Sequence, residues 1–257
     1  MEYGICVLGI VPLRKEPKDQ SEMISQILFG QHFKILEVKT KWICIHLASD
    51  NYKGWICSKQ YQEITYEDFE NISLNRFPLV LSNYSFLECL DSKELVPISI
   101  GAILPFYNNG IIKIRKRKYR FKGEISSLSK DDIIKYAFKF LNTPYLWGGK
   151  GVLGIDCSGF TQLVYSLCGI TIPRDAFQQA EIGKKVNFKS IFPGDLLVFI
   201  NENDRIHHVG IAISNDQIIH ASGKVRIDLL INDGIIHAQS NELTHRLHLS
   251  LIHISEP

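Results

Sequence analysis

The chain has 257 residues, 45% of them hydrophobic and 22% charged, with a formal net charge of +2. That balance suits a globular protein with a sizeable core and removes the bulk electrostatic case for nucleic-acid or membrane binding. No stretch nears the roughly 18 apolar residues of a membrane-spanning helix. Six cysteines (Cys6, Cys44, Cys57, Cys89, Cys157 and Cys168) stand singly, without a C-x-x-C pair, which reads as reduced thiols in a reducing compartment. The apolar N-terminal run follows Glu2 and precedes Arg14, Lys15 and Glu16. It therefore reads as a buried strand and not a secretion signal, and the cytoplasm is the expected location.

In chain order, residues 1–65 carry short β-rich runs: "YGICVLGIVPL", "EMISQILFG", "HFKILEVK", "KWICIHLA" and "KGWICS", separated by polar or glycine-containing turns. In "WICIHL", Ile43 and Ile45 share one face and Cys44 and His46 the other. A small barrel is expected. Over about residues 4–64 the order of "VPLRKEP", "QILFGQHFKILEVKTKWICIHL" and "YKGWI" resembles the bacterial SH3-type domain. The markers are an early arginine, a glycine before the central hairpin, a tryptophan opening the next strand and a closing Gly-Trp pair.

Residues 66–125 again look strand-like, in "FPLVLS", "LVPISIGAILPFY" and "GIIKIRKRKYRFKG", and "GAILP" suggests a hairpin entry into a second, diverged SH3-like barrel. The basic run Lys113, Arg115, Lys116, Arg117, Lys118, Arg120 and Lys122 is read as a solvated strand face, not a nucleic-acid patch. From residue 126 to 257 the pattern becomes α+β. Ser129 is a candidate N-cap, Asp131 and Asp132 fill a first turn, and Ile133, Ile134, Ala137, Phe138 and Leu141 follow at helical spacing, with Asn142 and Pro144 as the stop.

Within that region "GGKGVLGIDCSGFTQLVYSLCG" sets Cys157 between Asp156 and Ser158. Phe160, Leu163, Val164 and Leu167 fall at i, i+3, i+4 and i+7, marking an amphipathic helix that ends near Gly169. Asp156 is a good N-cap, so Cys157 occupies the first turn, where the helix end favours thiolate over thiol. An inert buried thiol and a metal ligand remain open as other readings.

A nucleophile needs a base. The strands "HHVGIAIS" (207–214) and "QIIHASG" (217–223) each supply histidine. His208, Gly210 and Ala212 share a face whose small residues would let a helix end approach, whereas His207 points to the other face as a structural or surface residue. A three-residue loop, Ser214-Asn215-Asp216, pairs Ile213 with Gln217 and makes His208 and His220 neighbours on one face; a two-residue loop would separate them. The catalytic reading therefore predicts the odd loop.

The ordered segments "YLWGG…GIDCSGFTQLVY", "IPRDAFQQ", "FPGDLLVF", "HHVGIAI" and "IIHASG", over about residues 128–254, resemble the NlpC-type papain-like cell-wall cysteine peptidases. With SH3-type domains in front, the chain resembles the γ-D-glutamyl-diamino-acid endopeptidases (dipeptidyl-peptidase VI-like). The resemblance implies an α+β, papain-like catalytic domain over 126–257, with N-terminal helices packed on an antiparallel sheet, preceded by SH3-like barrels over 1–65 and 66–125. It implies Cys157 as nucleophile, His208 as general base and His220 as the group orienting the first imidazole. It also implies Tyr145, Trp147, Asp156 and Ser158 as substrate-pocket residues, with Tyr145 and the Cys157 N–H holding the oxyanion.

The implied substrate is L-Ala-γ-D-Glu-diamino acid from peptidoglycan, cut during murein peptide recycling by a monomer that needs no cofactor. A wall-peptide-binding module, or amidase or acyl-transfer chemistry on the same scaffold, are the alternatives. His237, His245, His248 and His253 are read as polar positions of a last strand. Zinc is set aside because local ligand spacing is absent, and "GGKG" lacks the Lys-Ser/Thr of a P-loop.

Overall fold

The computed structural model describes the backbone of residues 2–253 and side chains as far as His248. The chain separates into two compact units, Met1–Leu128 and Ser129–Pro257.

In the first unit, β1 (Glu2–Ile5), β2 (Ile10–Arg14), β3 (Met23–Leu28), β4 (His32–Val38), β5 (Trp42–Leu47), β6 (Lys53–Cys57) and β7 (Gln62–Ile64) form one antiparallel sheet in the order β3-β2-β6-β5-β4-β1-β7. The alternation read in β5 holds: Ile43, Ile45 and Leu47 turn inward and join Val11, Leu13, Ile27, Phe33 and Ile56 in a core. The run "YGICVLGIVPL" is two strands, not one. The chain bends between Ile5 and Ile10, where a Cβ on Gly9 would lie 2.2 Å from the Pro97 carbonyl oxygen.

Residues 66–125 depart further from expectation. They open with a helix, α1 (Tyr66–Leu74), capped by the Thr65 hydroxyl, which accepts the Asp68 N–H at 3.1 Å. Glu67 and Asp68 complement its N-terminus and Phe69 and Ile72 are buried. "FPLVLS" and "GAILP" contribute only isolated bridges, Leu79 to Ile103 and Val80 to Ile125. The sheet proper has four strands, β8 (Tyr84–Cys89), β9 (Leu95–Ser99), β10 (Ile111–Ile114) and β11 (Arg117–Phe121), in the order β10-β11-β8-β9. Ile112, Ile114, Tyr119 and Phe121 point into a core shared with Ile5, Phe29, Phe69 and Ile72. All seven side chains of the basic run are exposed, as a solvated face requires.

The second unit begins with a 3₁₀ turn capped by Ser129, continued by α2 (Ile133–Phe138). A short ribbon of β12 (Lys150–Gly151) and β13 (Gly154–Ile155) then leads into α3 (Cys157–Leu167), followed by α4 (Ala176–Gln179). The remaining strands are β14 (Lys184–Lys185), β15 (Leu196–Ile200), β16 (Ile206–Ala212), β17 (Gln217–Ser222), β18 (Lys224–Ile231), β19 (Gly234–Ile236) and β20 (Leu243–His253). They pair in the order β14-β20-β15-β16-β17-β18-β19, and β19 also pairs with β20. The antiparallel sheet thus curls until β15 to β20 close on themselves. Helix α3 packs on β16 and β17, and α2 packs on α3.

Register places the polar residues. Paired positions share a face, so Phe199 opposite His208, Gly210 opposite His220, His220 opposite Arg226 and Ile235 opposite His245 all lie on one side of the curled sheet. The same side carries the apolar cluster of Leu197, Phe199, Ala212, Ile218, Leu230 and Ile235. Polar groups placed among these side chains are shielded from water, which makes every unpaired one costly.

Candidate active site

Helix α3 starts where the sequence places it. The Asp156 carboxylate caps it, accepting the Gly159 N–H at 2.7 Å, and also accepts the Gly148 N–H at 2.8 Å from the glycine-rich approach. Cys157 is therefore the first helical residue. Its thiol meets the backbone of Val209, next to His208, so α3 and β16 bring nucleophile and base candidates together. The helix end does not win the local electrostatic contest, however. Burial first, and the Asp156 charge second, push the thiol from its ordinary 9.0 up to about 11, outweighing the favourable N–H groups. The thiolate expected from position alone is thus replaced by a neutral resting thiol.

The hairpin β16–β17 has the odd loop. Ile213 N–H donates to the Gln217 carbonyl at 3.0 Å and Gly210 faces His220. His208 Nε2 and His220 Nδ1 are 2.8 Å apart. Gly210, one of the small residues on this face, is also needed within the sheet. A Cβ on Gly210 would lie 2.7 Å from Ile218 Cδ1 and 2.8 Å from His220 Cβ, so the missing side chain makes room for the neighbouring strand.

Asp228, on β18, was not singled out in the sequence and completes the line. His220 Nε2 lies 2.9 Å from Asp228 Oδ2, which also accepts Arg226 Nε–H at 2.8 Å, while Oδ1 accepts the Ala238 N–H at 3.0 Å. Burial opposes the charge on Asp228, but the bonds from His220, Ala238 and Arg226 outweigh it and hold the carboxyl well below the usual carboxylate range. Burial drives both histidines toward the neutral form: His208 sits well below its ordinary value, reinforced by the nearby His220 and His245, and His220 is lowered despite its bond to Asp228.

His207 is exposed, as a surface residue should be, but the strand geometry around it and the place of His245 differ from expectation. Phe199 pairs with His208 while Ile200 pairs with Ile206, so His207 is the extra residue of a β-bulge and strict alternation fails there. Its ring stacks on His245 with centroids 5.5 Å apart and lies 6.2 Å from the His208 ring. His245, read as a plain strand position, sits with its ring centroid 4.2 Å from that of His208. The His207 and His245 rings, with Thr244 and Arg246, line a cavity of about 530 Å³. His237 instead closes a local turn, donating or accepting with Ser240 at 3.0 Å. His248 is exposed, and the His253 side chain lies outside the described residues.

Of the four pocket residues, Tyr145 and Trp147 are exposed. Burial of part of its ring, with the neighbouring Cys157 and Asp156, raises the Tyr145 phenol above its ordinary value, so it stays a hydrogen-bond donor. Asp156 and Ser158 are buried and held by Arg174, a residue the sequence did not single out. Its guanidinium spans both Asp156 oxygens at 2.7 and 3.1 Å and reaches Ser158 Oγ at 2.8 Å. Among the described residues, no group of three or more His, Cys, Asp and Glu is arranged to hold a metal ion.

The model of the NlpC/P60 family matches residues 142–244, and that of the bacterial dipeptidyl-peptidase Sh3 domain matches residues 13–60. A γ-D-glutamyl-L-lysine dipeptidyl-peptidase of Bacillus cereus is 29% identical over 228 residues, which span 78% of this chain and 68% of the relative. A dipeptidyl-peptidase 6 of Lysinibacillus sphaericus is 25% identical over 252 residues, spanning 85% and 87%. The crystal structure of an NlpC/P60 family protein from Bacillus cereus shares the fold, with a TM-score of 0.78 at 23% identity over 95% of this chain and 98% of that one.

Proposed function

We propose that this chain, a cysteine peptidase carrying an NlpC/P60 domain and a bacterial dipeptidyl-peptidase SH3 domain, hydrolyses the bond between γ-D-glutamate and a diamino acid in peptidoglycan stem peptides, releasing L-alanyl-γ-D-glutamate. The observation that carries the reading is the buried line from the start of α3 through His208 and His220. It meets the geometric need of nucleophilic catalysis: a thiol, a base beside it and a group that orients the base. The relatives named as γ-D-glutamyl-L-lysine dipeptidyl-peptidases support the substrate class.

In this mechanism Cys157 Sγ attacks the γ-glutamyl carbonyl carbon as His208 takes the thiol proton. Because the thiol is pushed up to about 11, this transfer accompanies attack and does not precede it. The oxyanion is held by the Cys157 backbone N–H and the Tyr145 phenol. His208 then protonates the amine of the departing diamino acid, leaving a thioester on Cys157. Water, deprotonated by His208, attacks that thioester and frees the dipeptide and the thiol. Trp147 offers an exposed ring to the peptide, while Asp156 and Ser158 shape the pocket wall beside the nucleophile. The same reading makes residues 66–125 a second, strongly diverged SH3-like module and the enzyme a cytoplasmic monomer acting on imported wall peptides.

The test is incubation with L-Ala-γ-D-Glu-L-Lys and its diaminopimelate counterpart, with Cys157→Ala as control. Wild type should release L-Ala-γ-D-Glu from at least one of them, and Cys157→Ala should bind that peptide without cutting it. Intact peptide in the wild-type reaction, or equal turnover by the variant, overturns the reading.

A further inference from the structure

We propose that Asp228 is a positioning residue that sets the tautomers of both histidines and thereby makes Nδ1 of His208 the basic nitrogen. The inference rests on the peptidase reading above and adds the role of a residue two bonds away from the base.

Two hydrogen bonds in series, His220 to Asp228 and His208 to His220, fix the ring protons by elimination. An ionised carboxylate only accepts. Asp228 Oδ2 lies 2.9 Å from His220 Nε2, so the hydrogen of that contact belongs to His220 Nε2. Arg226 Nε–H and the Ala238 N–H also point at the carboxylate, which keeps it charged and fixed in orientation. A neutral imidazole with its hydrogen on Nε2 has a bare Nδ1, which can only accept. His220 Nδ1 faces His208 Nε2 at 2.8 Å, so the hydrogen there sits on His208 Nε2. His208, held neutral by burial, is then bare at Nδ1.

A proton taken from Cys157 lands on that nitrogen. The imidazolium that forms keeps its Nε2–H directed at His220, with the Asp228 charge at the far end of the line. Were Asp228 absent or a donor, His220 could carry its hydrogen on Nδ1 instead. His208 Nε2 would then accept, its hydrogen would move to Nδ1, and the base would be blocked before reaction.

The experiment uses the full chain labelled with ¹⁵N at histidine. Long-range ¹H–¹⁵N correlation spectra report which ring nitrogen of each histidine is protonated, and His208→Gln and His220→Gln supply assignments. In wild type both rings should show a protonated Nε2 and a bare Nδ1. A His208 protonated at Nδ1 in the resting protein overturns the proposal without reference to any substrate. Asp228→Asn should lower kcat by about 10–100-fold, leave KM for the peptide within about twofold and shift the His220 and His208 nitrogens away from the wild-type pattern. Wild-type kcat in that variant, or a loss of kcat with unchanged histidine spectra, also overturns it. If the wild-type protein cleaves no γ-glutamyl peptide, the peptidase reading fails while the tautomer measurement still stands.

Discussion

Replacing Arg174 by methionine keeps the length and apolar stem of the side chain and deletes only the charge that faces Asp156. In the intact protein the guanidinium is 2% exposed, spans the carboxylate at 2.7 and 3.1 Å and reaches Ser158 Oγ at 2.8 Å. Without it, Asp156 remains buried with the N–H groups of Gly148 and Gly159 as compensation. Breaking a buried pair from one side costs about 3–5 kcal/mol, because the surviving charge is stranded. Two backbone donors hold the expectation near the lower end, about 3 kcal/mol. For a unit of this size that corresponds to a drop in Tm on the order of 10 °C. Adding Asp156→Asn removes the stranded charge, so the double variant should recover stability, with a coupling of at least about 1.5 kcal/mol in the double-mutant cycle. Urea unfolding of the four proteins measures the cost and the coupling, and thermal unfolding measures the shift in Tm. A cost below about 1 kcal/mol for Arg174→Met, or strict additivity in the cycle, would refute the reasoning.

Gly210→Ala puts a methyl 2.7 Å from Ile218 Cδ1 and 2.8 Å from His220 Cβ. The first contact can swing away but the second is fixed to its strand, so His220 shifts. Stability should fall by about 1–3 kcal/mol and turnover by at least about tenfold, and wild-type values for both would contradict the packing account. For pH, burial lowers His245 from the ordinary 6.5 to about 3 and His32 to about 4. Below 6.5 the unfolded chain binds protons that the folded one refuses, so stability falls as pH falls, by up to about 1.4 kcal/mol per pH unit for each histidine. Urea midpoints should drop between pH 7 and pH 5, less steeply in His245→Gln. A level or rising midpoint in wild type would sink the assignment.

How far the site is legible in the sequence depends on which contacts each residue needs. The histidine pair is legible because a three-residue loop, unlike a two-residue one, puts both rings on one face, and the structure has that loop. The bulge at His207 is not, since "IHHVG" gives no sign that Phe199 will face two residues of its partner strand. Asp228 is hidden for a similar reason: in "VRIDLL" Arg226 and Asp228 alternate with apolar residues as on any solvated strand, and only β17 lying alongside shows where that face looks. Arg174 meets its carboxylate 18 positions away across the start of α3. Helix α1 is hidden in another way: only Phe69 and Ile72 are buried, so its apolar period is weak beside the β-rich runs around it, and the Thr65 cap is a short local signal.

Cys157 shows why local chemistry and final chemistry can differ. A helix N-terminus stabilises an adjacent negative charge by about 0.3–1 kcal/mol at exposed sites. Moving a thiol from 9.0 to about 11 corresponds to roughly 3 kcal/mol against the thiolate, most of it from burial. Burial wins, so the nucleophile cannot rely on being ionised in advance and must give its proton to His208 as it attacks. That base is itself buried and reluctant to hold a charge. The resting site is therefore two neutral partners, and charge separation during attack has to be met from outside the pair. The only fixed negative charge linked to His208 through hydrogen bonds among the described residues is Asp228, at the end of the line through His220. The more deeply the nucleophile is buried, the more the reaction depends on a residue that never touches the substrate.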